Sequence, residues 1–166
     1  MLRTHELIGF MSPGMANEII EFAFAEDKPT YKAVLSAVAE ARRIRPVFLE
    51  RQPRGQRHST MLGTLVRPSL DLAGGMLIRS WLVKKHKDML KDFLDALEIP
   101  NQDGVVDDLP ESVGDEELKN AVETLLAKYP HEAVAVYLNA FNEMNEASWA
   151  NLKGLLESDT RLQLGG

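Results

Sequence analysis

Apolar residues recur at intervals of three and four along most of this chain, the spacing of one helix face. Met15, Ile19, Phe22 and Ala23 share a side of a segment that opens at Ser12-Pro13, and Ile20 and Phe24 widen that side. A hydroxyl that accepts from unpaired N–H groups, followed by proline at the first helical position, predicts a helix start there. Lys28-Pro29 breaks the pattern after Asp27. Tyr31, Val34, Leu35 and Val38 predict a second helix from Thr30 to about Ile44, because Pro46 disfavours helical geometry at the residue before it. The next stretch, PVFLERQPRGQRHST, holds two prolines and a glycine and reads as a short helical turn and then a loop. A brief helix starting at His58 or Ser59 carries Met61, Leu62, Leu65 and Val66 and ends at Pro68.

The longest periodic pattern runs from Ser69 to about Ile99, with Leu82, Met89, Leu90, Phe93, Leu94 and Leu97 as its stripe. Gly74-Gly75 lies inside it. Each glycine costs a helix interior roughly 1 kcal/mol, so the pair implies either a kink or the close approach of a neighbouring helix. Beyond Pro100 the periodicity lapses, then resumes at Gly114-Asp115 with Leu118, Ala121, Val122, Leu125 and Leu126. Tyr129-Pro130 separates that helix from one bearing Val134, Tyr137, Leu138, Phe141 and Met144. A last helix starts near residues 145–148 and uses Trp149, Leu152, Leu155 and Leu156; the tail TRLQLGG shows no clear element. Strict alternation of strand type is absent, apart from the very short DGVVDD. The expected class is therefore all-α: about seven helices in an antiparallel bundle or a short superhelical stack. The expected organisation is one domain over residues 1–166, with a soft boundary at the acidic loop 100–114.

Composition changes this picture little and charge changes it more. The chain has 166 residues, 45% of them hydrophobic and 27% charged, enough for one domain with a core. No apolar run is long enough for a bilayer, no secretory leader is visible, and cysteine is absent. Disulfides, thiolate metal sites and a cysteine nucleophile are thereby excluded, and a cytoplasmic location is expected. Net charge is −6, unevenly spread. Residues 42–87 hold eleven basic and two acidic side chains, whereas residues 88–166 hold five basic and seventeen acidic.

The basic segment supplies the main candidate site: Arg42, Arg43, Arg45, Arg51, Arg54, Arg57 and Arg67, followed by Lys84 and Lys85. Guanidinium groups pair in forks with carboxylates or phosphates. Aromatic residues for stacking on bases are limited to Phe48 and Trp81, and Trp81 sits on a core stripe, so single-strand recognition has little support. The competing explanation is that these arginines pair internally with the acidic half.

The acidic stretch Asn101–Glu117 carries seven carboxylates and no base. Aligning Gly104 with the glycine of a helix–loop–helix calcium site puts Ile99 and Pro110 at the two end ligands, so that site fails. A looser divalent site would have to use Asp103, Asp107 and Asp108. The plainer reading is a solvated connection of turn-forming residues, with a docking surface as its functional counterpart. His131-Glu132 lacks the second histidine of a zinc-protease helix, and Gly74-Gly75 lacks the lysine of a phosphate loop. His58, beside Ser59 and Thr60, is the one catalytic-looking residue, without an evident acid to orient it.

These observations imply a non-enzymatic intracellular interaction or adaptor module that uses basic and acidic surfaces. Its partner is expected to be a protein or a second copy, with no membrane and no cofactor. The alternative is nucleic-acid, other polyanion or anionic-ligand binding through Arg42–Arg67; a weaker one is an enzyme centred on His58.

Overall fold

The computed structural model describes residues 2–165, and among them every regular element is helical. The α-helices are α1 (Thr4–Phe10), α2 (Pro13–Glu26), α3 (Lys28–Ala41), α4 (Pro46–Glu50), α5 (Arg54–Leu65), α6 (Asp71–Lys85), α7 (Lys87–Ala96), α8 (Asp115–Lys128), α9 (His131–Met144) and α10 (Ala150–Ser158). Short 3₁₀ turns lie at Pro68–Leu70 and Thr160–Leu162. The all-α class is as expected, but among the described residues the helix count is ten rather than about seven. α1 and α4 are too short to show two periods of an apolar stripe. The long pattern from Ser69 is two helices, α6 and α7.

The break between those two comes at His86, which is the N-cap of α7 with φ −116° and ψ 29°. It does not come at the glycines. Lys84 and Lys85 close the last turn of α6 and Asp88 opens the first turn of α7, the charge order that suits two helix dipoles in series. Gly74 is instead a point of close approach: a Cβ there would lie 2.7 Å from Ile8 Cδ1 of α1. α5 also begins earlier than its composition suggests. Pro53 sits just ahead of the first turn, where a missing N–H costs nothing.

Several starts and stops follow the local chemistry. Ser12 Oγ accepts from Met15 N at 3.1 Å and caps α2. Asp27 ends α2 and caps α3 by accepting from Thr30 N. α8 opens with Asp115, Glu116 and Glu117, and Tyr129-Pro130 separates it from α9. The acidic loop contains one isolated bridge, Gln102 to Val105.

The chain packs as two compact units. One is Arg3–Trp81; the other runs from Leu82 onward and includes Leu2. The division falls inside α6, and the 100–114 stretch lies within the second unit. In the first unit α3 packs against α2, α4 and α5, while α1 packs against α5. Val34, Leu35, Val38, Leu49, Met61 and Leu65 are buried there. In the second unit α8 packs on α7, α9 and α10, and the Thr160–Leu162 turn lies on α9. Phe93, Leu118, Leu125, Val134, Leu138, Trp149 and Leu162 are buried in that unit. Among the described residues no helix is long and apolar enough to cross a membrane.

Candidate partner-binding surface

α3 ends in a turn that presents basic and apolar side chains together. Ile44 N donates to Ala39 O and Arg43 N donates to Glu40 O, each at 3.0 Å. This is the two-bond closure that usually places glycine in the left-handed conformation just past a helix end. Here Arg43 occupies that position, with φ 57°. The chain then turns into α4 at Arg45-Pro46, and Leu49 anchors α4 in the core. Around Leu49 the exposed groups are apolar as well as charged: Ile44 is 36% exposed, Val47 38% and Phe48 56%. Arg43, Arg45 and Arg51 stand exposed beside them.

The remaining arginines of residues 42–67 are partly engaged, mostly by neutral groups. Arg67 Nη1 donates to Ala41 O at 3.3 Å, and Arg57 Nη1 donates to Glu50 O at 3.0 Å. Both acceptors are carbonyls at the ends of helices, which lack intrahelical donors. Arg42 Nη1 donates to Thr64 Oγ1 at 3.4 Å, linking the ends of α3 and α5. Arg54 Nε lies 3.6 Å from Glu21 Oε1, and the Arg54 and Arg57 guanidiniums lie over the Phe24 ring at 5.1 and 5.5 Å. Among the described residues Arg42, Arg43, Arg45, Arg51, Arg57 and Arg67 form no ion pair with a carboxylate. Lys84 and Lys85 belong to the second unit and have interactions of their own.

His58 is not a solvated loop residue. It lies on α5, is 1% exposed and sits between two polar partners. Its Nδ1 is 3.0 Å from Glu21 Oε1 and its Nε2 is 2.7 Å from Tyr31 Oη. A carboxylate only accepts, so Nδ1–H donates to Glu21 and the Tyr31 hydroxyl donates to a neutral Nε2. Phe24 and Tyr31 pack edge-on against the ring. Burial pushes the imidazole below its ordinary value; Glu21 opposes this, and the Arg57 and Arg54 charges reinforce it. Burial likewise pushes the Tyr31 phenol up. The orienting acid that sequence did not reveal is thus present. Yet both ring nitrogens are occupied, and the buried ring offers neither to a substrate as it stands.

The acidic stretch does not gather a metal site. Among the described residues no three His, Asp or Glu side chains are placed to hold an ion, so Asp103, Asp107 and Asp108 do not form the looser site considered from sequence. All three are exposed on a tightly shaped backbone. Gly104 N donates to Asn101 Oδ1 at 3.1 Å, and Gln102 and Val105 exchange backbone bonds of 2.9 and 3.0 Å. Further along, Trp149 Nε1 donates to Pro110 O at 2.9 Å and Asn151 Nδ2 donates to Val113 O at 2.8 Å. The stretch is an exposed carboxylate-bearing strap tied down at both ends.

In comparison with known proteins, the chain matches no family model, no curated protein and no solved structure. The exposure of Ile44, Val47 and Phe48 is the feature of this corner hardest to read from sequence. Their only signal is an apolar triplet set among arginines and broken by Pro46, too short and irregular to say which side is buried.

Proposed function

We propose that this protein is a non-enzymatic interaction module, and that its α3–α4 corner binds acidic, partly apolar segments of a protein partner. One observation supports this most: Arg43, Arg45 and Arg51, unpaired with any carboxylate among the described residues, are interspersed along the α3–α4 corner with three exposed apolar side chains. Opposite charge steers the encounter, and burial of Ile44, Val47 and Phe48 holds it. A carboxylate-bearing segment with aliphatic side chains fits both features. Nucleic acid fits the charge but not the rest, because Phe48 is the only aromatic in the Arg43–Arg51 segment and the two aliphatics are poor stacking platforms. The same proposal puts the protein in the cytoplasm, where a cysteine-free chain is indifferent to reducing conditions.

The test is fluorescence anisotropy with two labelled probes: a synthetic peptide of alternating glutamate and leucine, and a single-stranded oligonucleotide of equal length. The peptide should bind more tightly, and replacing Arg45 and Arg51 with glutamine should weaken it by about tenfold or more. Tighter binding of the oligonucleotide, lost on the same substitutions, would favour the anionic-ligand alternative.

A further inference from the structure

We infer that a second copy of this chain docks on the α3–α4 corner, through the acidic strap at residues 103–111. This rests on the binding role proposed above for the corner. The two units differ in charge: residues 3–81 carry eleven basic and eight acidic side chains, a net of +3, and residues 82–165 carry eight and seventeen, a net of −9. The strap concentrates that negative charge. Asp107, Asp108 and Glu111 are exposed and make no ion pair among the described residues. Val105, 38% exposed, adds an apolar group between Asp103 and Asp107. Three unpaired carboxylates and an exposed aliphatic thus complement three unpaired guanidiniums and an exposed apolar cluster.

Order in the strap strengthens the match. Its backbone is held near Gly104 and again at Pro110 and Val113, so docking loses less conformational freedom than a free acidic tail would. Each surface is exposed in its own unit. Each copy then has one face of each kind, and the contact is head to tail. Such a contact propagates into rings or open chains instead of stopping at a symmetric pair.

Sedimentation velocity of the full chain tests this. At about 50 mM salt the wild type should grow in sedimentation coefficient with concentration, and at about 500 mM it should return towards monomer. Two variants separate the faces: Arg45→Gln with Arg51→Gln, and Asp107→Asn with Asp108→Asn. Far-UV circular dichroism checks that both remain folded. Each alone should associate about tenfold more weakly or worse. Mixed, they should form a 1:1 pair and nothing larger, because each supplies the face the other lacks. A wild type that stays monomeric while the glutamate–leucine peptide still binds overturns the second-copy inference and leaves the corner's role standing. A monomer that also ignores the peptide overturns both. Self-association that persists unchanged in both variants places the contact elsewhere and overturns the inference.

Discussion

His58 is fully hydrogen-bonded only as a neutral ring. Its Nδ1–H donates to Glu21, and its Nε2 accepts from Tyr31. Tyr31→Phe leaves a buried acceptor without a donor and should cost about 1–3 kcal/mol in urea unfolding. The pH dependence has a definite sign. The folded ring takes up a proton at lower pH than its ordinary value of 6.5, so the unfolded chain binds that proton first. The stability contributed by the neutral ring is complete above that value and is lost as pH falls through it towards the folded value. The difference in unfolding free energy between wild type and His58→Gln should therefore narrow between pH 8 and pH 5. His58 was visible in the sequence as a candidate. Its partners, 37 and 27 residues away, were not, because only folding of α2, α3 and α5 brings them together. Arg43 gives a second residue-scale expectation. A non-glycine side chain in the left-handed region costs about 1–2 kcal/mol. Arg43→Gly should therefore raise stability by roughly 1 kcal/mol while weakening capture of an acidic probe. Glu98 adopts the same conformation, at φ 58°, at the end of α7, so the geometry alone does not mark a binding residue. The loss of binding is the informative half of that experiment.

At the level of elements, the adjacent glycines of α6 have opposite surroundings. Nothing lies within 4 Å of a Cβ added at Gly75, whereas one at Gly74 meets Ile8 and Thr4 of α1. Gly75→Ala should stabilise by roughly 0.5–1 kcal/mol through helix propensity. Gly74→Leu should destabilise by about 1–3 kcal/mol through overpacking. Chemical denaturation of the pair reads both signs directly. Sequence showed the two glycines but not which of them a neighbour approaches, since α1 was too short to be recognised. The other elements were legible to different degrees, for identifiable reasons. Ser12-Pro13, Gly114-Asp115 and Tyr129-Pro130 gave correct boundaries because capping and proline chemistry act locally. The α6–α7 break at His86 has no proline or glycine, only a change from lysines to aspartate. The C-terminal turn was missed because Leu162 is buried against α9 by tertiary contact, with its carbonyl reached by Asn139 Nδ2.

On the scale of the whole molecule, the charge division of the sequence persists in the fold in a more specific form. The arginines of residues 42–67 all lie in the first unit. Three of them stand with exposed apolar groups, and the others brace helix ends or cover Phe24. Counting charges along the chain singled out the arginine-rich segment 42–67. It gave no indication that Ile44, Val47 and Phe48 would be exposed within it, because burial depends on which face of α4 meets the core at Leu49. The acidic stretch was legible as an exposed connection, but not as one held by Trp149 and Asn151. Recognition of carboxylates together with apolar groups by the α3–α4 corner, as proposed, can be read residue by residue. Its most direct measurement is an amide chemical-shift titration of the ¹⁵N-labelled full chain with the synthetic glutamate–leucine peptide. The expected result is saturable shifts confined to residues 42–51 and their neighbours on α5, abolished in Arg45→Gln/Arg51→Gln. Shifts centred on other surfaces, or none at peptide concentrations near 1 mM, would contradict it.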